Sequence, residues 1–173
     1  MTRVRSLAGV LVLFAAVPAF AQESKSAALV KQLAAALDAG KLDAIGAKDP
    51  SAPDAFCAAL YFPNAQLLVV AARYSAPQLL VERLAKKEYR DMYIDLSSAS
   101  VPASKVFVQD ASADGLNAKG FDSFEEAGKS MMFDGDWKKQ KISEQDYQKA
   151  FAAADERYAH ILTALLAQLK GTS

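Results

Sequence analysis

FCAALYFPNAQLLVVAAR, residues 56–73, is the stretch that decides the fold. Two apolar runs, Phe56 to Phe62 and Gln66 to Arg73, rich in β-branched and aromatic residues, flank Pro63-Asn64-Ala65, the signature of two paired strands joined by a short turn. Their apolar character is nearly continuous instead of alternating, which implies burial on both faces. The hairpin therefore predicts the centre of a sheet with cover above and below. Cys57 lies inside it and is the only cysteine, so no intramolecular disulfide can form and the fold must rest on packing. In that apolar setting it reads as a small buried hydrophobe, because a reactive thiol needs an electropositive neighbour.

Working outward, the residues before the hairpin predict a helix from about Ser26 to Ala39, with Leu29, Val30, Leu33 and Leu37 at helical spacing and Gly40 as the left-handed residue that ends it. A short turn around Leu42 and Ile45 follows. Pro50 and Pro53 then mark a connection inside one domain. After the hairpin, Ser75, Pro77 and Gln78 form a helix-start pattern, and the helix runs to about Glu88 with Leu79, Leu80, Val81 and Leu84 inward. Met92, Ile94 and Leu96 alternate with Tyr93 and Asp95, which predicts a half-buried strand. Val106 and Val108 repeat that alternation, and Asp114-Gly115 marks a turn.

From Asn117 to Ile142 no period is sustained. Phe121, Phe124, Met131, Met132, Phe133 and Trp137 are scattered among polar residues, so the expectation is an ordered, loop-rich wrap with a helical turn near Ser123 to Gly128, able to wall a pocket. The last element is a long amphipathic helix that starts at a capping box of Ser143 with Asp146. Its stripe of Tyr147, Phe151, Ala154, Tyr158, Ile161, Leu162, Leu165 and Leu169 holds until Gly171. A helix of about 40 Å must pack along the whole body or protrude, and protrusion would make the stripe a homodimer contact.

The first 21 residues form a separate unit. Arg3 and Arg5, the apolar run from Leu7 to Val17, and Ala19-Phe20-Ala21 read as a Sec-type signal peptide cleaved after Ala21. The run is about half of the roughly 20 residues a membrane span needs, so no membrane anchor is expected after cleavage. The mature chain, residues 22–173, is the size of one domain with a real core. Losing Arg3 and Arg5 from 20 basic and 20 acidic side chains leaves a formal charge of −2. That balance offers no general attraction to phosphate backbones, and the basic run Lys138-Lys139-Gln140-Lys141 beside Trp137 reads as a solvated entry to the last helix. No nucleic-acid partner is expected.

Candidate chemistry is sparse. His160, the only histidine, falls on the face opposite the long helix's stripe, near Glu156 and Thr163, where it meets solvent. One histidine and one cysteine do not make a zinc or copper site. Asp134-Gly135-Asp136, with Asp110, Asp114 and Asp122, could offer carboxylates to calcium. The register of alternate acids, sixth glycine and twelfth glutamate is not met, so Asp134-Gly135-Asp136 reads as a tight turn. No phosphate loop, nucleophile elbow or zinc-protease helix is present. Any catalysis would then belong to a bound cofactor.

The order of the hairpin, then Arg73-Tyr74-Ser75 entering a helix with Leu79, Leu80 and Leu84, then strands at Met92 and Val106, resembles the flavin-binding split barrels of the pyridoxamine-phosphate-oxidase type. The resemblance covers about residues 56–116. It implies a split barrel in which Arg73 and Ser75 hold the flavin phosphate, with FMN or haem as cofactor of an oxidoreductase. Tyr61, Tyr93 and Trp137 are the further candidates to line a pocket. The sequence thus predicts an exported, periplasmic or secreted α+β domain whose mainly antiparallel sheet is covered by helices. Its expected role is non-catalytic binding of a ligand or partner, with the flavin- or haem-binding oxidoreductase as the alternative.

Overall fold

A computed structural model describes residues 24–49, 55–73, 77–97, 106–117 and 120–171. The hairpin forms as expected: β2 (Phe56–Phe62) pairs antiparallel with β3 (Leu67–Arg73), placing Cys57 opposite Ala72, Ala59 opposite Val70 and Tyr61 opposite Leu68. The turn is a single 3-10 turn, Pro63–Ala65, closed by Gln66 in the left-handed region. Around this pair the sheet grows by one neighbour at a time: β1 (Ala44–Lys48), β2, β3, β4 (Val106–Ala111), β5 (Asp122–Glu126) and β6 (Lys129–Phe133), all antiparallel and in sequence order.

The two faces of the sheet are covered by different helices. Cys57, Ala59 and Tyr61 of β2, Leu68, Val70 and Ala72 of β3, and Val106 and Val108 of β4 point to one face. There they pack with Val30, Leu33 and Leu37 of α1 (Lys25–Gly40) and with Tyr147, Tyr158, Ile161, Leu162 and Leu165 of α4 (Glu144–Gly171). Alternate residues, including Ala58, Leu60, Val69, Ala71 and Phe107, meet Leu80 of α2 (Pro77–Ala85) and Met92 and Leu96 of α3 (Tyr89–Ser97) on the other. Both faces of the hairpin are buried, and each fully buried aliphatic side chain contributes about 2 kcal/mol. The chain is one α+β domain in three layers.

Several sequence expectations are corrected. The strand at Met92 is helix α3. The spacing Tyr89, Met92, Tyr93, Leu96 is helical, Met92 and Leu96 are buried, and Ile94, inward in the strand reading, is 52% exposed. Arg83 of α2 ties this helix down by pairing with Glu88, Asp91 and Asp95. With that element on the sheet face instead of in the sheet, β3 pairs directly with β4. The sheet stays open with β1 and β6 as edges, and the split barrel is not formed.

The expected turn at Ile45 is strand β1, and the expected wrap holds the β5–β6 hairpin, whose turn is made by Ala127 and Gly128, both at positive φ. The helical turn near Ser123 is therefore strand β5. Helix α1 runs through Gly40, and the left-handed residue is Lys41, whose amide bonds back to Asp38 and Leu37. Helix α4 starts where expected: Ser143 Oγ accepts the Asp146 amide at 3.1 Å and pairs with the Asp146 carboxylate at 2.6 Å. Of its stripe, Tyr147, Ala154, Tyr158, Ile161, Leu162 and Leu165 are buried in the chain's own core and Phe151 and Leu169 are partly buried, so the helix packs along the body.

Candidate functional site

The inward alternation of β4 runs Val106, Val108, Asp110, and that of β5 runs Phe124, Asp122, so two aspartates occupy core-facing positions at the same end of the sheet. Gln109 pairs with Ser123, and one further step along that register sets Asp110 against Asp122. Both side chains are wholly buried. A carboxylate taken out of water needs donors, and the β4–β5 loop supplies them. Asp110 Oδ1 accepts the Asp114 amide at 3.1 Å, and its Oδ2 accepts the Gly115 amide at 3.0 Å and the Tyr158 hydroxyl at 3.1 Å. Asp122 Oδ1 accepts the Ala111 amide at 2.9 Å, and its Oδ2 accepts the Asn117 amide at 2.8 Å.

A third buried aspartate joins the loop to the helices. Ser24, at the start of α1, makes no side-chain cap. Asp155 of α4 caps α1 instead, accepting the Lys25 amide at 2.7 Å and the Ser26 amide at 3.0 Å. Ser26 Oγ in turn accepts the Leu116 amide of the loop at 3.0 Å. Gly115, at φ +93°, lies so close to α1 that a Cβ there would come within 2.5 Å of the Ala27 Cα and amide nitrogen. The loop is thus clamped by α1, α4 and its own flanking strands.

Burial pushes the Asp110 carboxyl up to about 6, partly offset by its donors, and pushes Asp122 up to about 7 with Asp110 and Asp114 adding to the shift. Tyr158, wholly enclosed and facing Asp110, is raised well above its ordinary range. These directions follow from desolvation without a cation, since no lysine or arginine among the described residues pairs with either carboxylate. A half-buried cation sits elsewhere: Arg157 reaches Asp49 just beyond β1 at 2.9 Å and Glu126 of β5 at 3.5 Å.

The clamped loop leads to an uneven surface. Among the described residues, the buried cluster on the α2–α3 side stops at Phe107 of β4. The outward positions of the β5–β6 hairpin, Ser123, Glu125, Ser130 and Met132, lie beyond it. Phe121, immediately before the buried Asp122, is 76% exposed, and Met132, the ladder partner of Ser123, is 40% exposed. Gln109 Nε2 donates to the Tyr93 hydroxyl at 3.2 Å at the border of this open half-face. Along the β6 edge, the Gln140 side chain donates to the Met132 carbonyl, so that edge is partly blocked to another strand.

The residues expected to line a pocket do not converge. Tyr61 is buried on the α1–α4 face, Tyr93 lies on α3 across the sheet, and Trp137 packs at the margin of the α1–α4 core beneath the Lys138 ammonium, 5.2 Å from its ring. Arg73 ends β3, its backbone paired with Phe56, while Ser75 lies outside the described residues. Cys57 is buried, its thiol donating to the Ala47 carbonyl and pushed up to about 12 by burial, and His160 stands exposed on α4. Asp134-Gly135-Asp136 is a turn in which Asp134 accepts the Asp136 amide and Gly135 donates to the Tyr147 hydroxyl. The signal for the carboxylate clamp was available in the sequence: aspartates fall in step with the inward valines of β4 and the inward phenylalanine of β5.

Comparison with known proteins finds no matching family model, no matching curated protein and no matching solved structure.

Proposed function

We propose that this chain is an exported, non-catalytic binding domain whose partner is a protein segment that lies across the open half-face of the sheet, anchored by Phe121 and Met132. One observation carries this reading: a loop whose amides are fixed by buried aspartates holds out an aromatic ring that is 76% exposed. Fixing a loop in advance removes ordering entropy from the binding step, and aromatic side chains are the usual anchors of interfaces. The thiol and the imidazole, the chain's only cysteine and histidine, do not meet as a nucleophile and base would.

A photo-crosslinking amino acid placed at position 121, in the full chain expressed in its own cells, is expected to give one discrete adduct. The same residue at Ile94, also exposed but carried on α3, is expected to give none. Adducts of equal yield at both positions, or none at 121, contradict the surface assigned here. An absorbance band between 350 and 500 nm that co-purifies with the protein, or that forms stoichiometrically on adding FMN or haem, would replace this reading with a cofactor-binding one.

A further inference from the structure

Resting on the binding reading above, we propose that the partner segment is extended and adds to the sheet as a strand beside β6, through backbone hydrogen bonds to Ser130 and Met132. The parity of the β5–β6 hairpin directs those groups outward. Ala127 and Gly128, at φ +51° and +75°, make a two-residue turn between Glu126 and Lys129, and in such a hairpin the flanking pair exchanges both ladder hydrogen bonds. Bonded pairs then alternate. Glu126 bonds Lys129 and Phe124 bonds Met131, while Ser130 and Met132 turn their amides and carbonyls away from β5 toward the free edge. Gln140 shows what that edge accepts: its side-chain amide donates to the Met132 carbonyl at 2.5 Å, and a primary amide offers the same N–H donor as a peptide bond. One end of the edge is thus already met by the chemistry a strand would bring. Among the described residues, the Ser130 amide, the Ser130 carbonyl and the Met132 amide are left for an incoming backbone, and both residues are exposed.

The half-face beside this edge is too small to hold a partner by apolar contact alone. Phe121 and Met132 are its exposed hydrophobes, and the other outward positions of the hairpin are Ser123, Glu125 and Ser130. Two such side chains offer on the order of 300 Å², against roughly 800 Å² per partner in a stable interface. Strand addition supplies the remainder through main-chain bonds and sets the segment's side chains alternately on the two faces of the sheet. The side chain set beside Met132 should be apolar, and the one beside Ser130 small or polar. The opposite edge, β1, lacks such a face, since the Phe56 ring and Leu84 of α2 lie over Gly46. A second copy of this chain fits less well, because pairing two β6 strands through their Met132 carbonyls must displace both Gln140 side chains. A segment of another protein that ends at the Met132 amide displaces none.

The test introduces Ser130→Pro into the full chain that carries the crosslinker at position 121. Proline there removes an edge amide that takes no part in the ladder with β5, so the hairpin keeps its own bonds. The adduct yield is expected to fall about tenfold or more, the affinity carried by one or two backbone bonds. Undiminished crosslinking in a folded Ser130→Pro chain overturns strand addition and leaves the binding surface standing, whereas no adduct with Ser130 intact removes the surface and strand addition with it. Should the variant not fold, amide hydrogen exchange of the purified adduct decides. Ser130 and Met132 are expected to exchange about tenfold or more slowly than in the free chain, and unchanged exchange at both overturns the proposal. An adduct of twice the chain's mass overturns it as well, because the occupant is then a second copy.

Discussion

Asp110→Ala is expected to lower the unfolding free energy by about 3 to 5 kcal/mol, measured by chemical denaturation, because it leaves two buried amides and the Tyr158 hydroxyl without an acceptor. The loss is larger than its side-chain volume suggests, since an enclosed donor stripped of its partner carries its whole desolvation cost. Removing only the hydroxyl, in Tyr158→Phe, keeps the ring in the core and should cost about 1 to 2 kcal/mol. Asp114→Ala is the matching control. Asp114 is exposed and, among the described residues, its carboxylate accepts only from the Asn117 side chain, so the change should stay under about 1 kcal/mol. Equal effects for Asp110→Ala and Asp114→Ala would mean that burial of the carboxylate does not organise the loop.

The second large effect belongs to Gly115→Ala, expected to cost about 3 kcal/mol or more. Two terms add. The residue sits at φ +93°, where a side chain is strained, and the added methyl would meet the α1 backbone at Ala27, which cannot step aside as a flexible side chain would. Gly128→Ala separates them. Gly128 has φ +75° in the β5–β6 turn and open space where the methyl would go, so only the conformational cost of about 1 kcal/mol should appear there. The difference between the two variants measures how closely the loop is held against the start of α1, and equal losses would contradict that close approach.

What the sequence revealed follows from how well hydrophobic period and burial agree. The β2–β3 hairpin was legible because every residue from Cys57 to Tyr61 and from Leu68 to Ala72 is buried, so no face question had to be answered. Helix α4 was legible for the opposite reason, with one long stripe and a cap at Ser143. Helix α3 was misread because Met92, Ile94 and Leu96 imitate a strand over six residues. Only Tyr89, which extends the helical spacing, and the Glu88, Asp91 and Asp95 partners of Arg83 argue otherwise.

Strand β5 was misread because its inward face begins with Asp122, so the apolar alternation has a single member, Phe124, within the strand. The same replacement of a hydrophobe by an acid at Asp110 left only Val106 and Val108 to mark strand β4. Local rules fail at the carboxylate clamp, where a polar group occupies a core position and depends on long-range partners on α1 and α4. Among the aspartates, Asp110, Asp114 and Asp122 could be singled out as carboxylates from sequence. Asp155 could not, because a cap on a helix 130 residues away leaves no local pattern.

Native-state hydrogen exchange of the loop amides tests the clamp most directly. Ala111, Asp114, Gly115, Leu116 and Asn117 each donate to a side-chain acceptor. The account predicts that at pH 5 they exchange as slowly as the amides of Ala59 and Val70 in the central hairpin, opening only with the fold as a whole. Exchange at the rate of an unstructured chain in these five amides, while the hairpin stays protected, would contradict it.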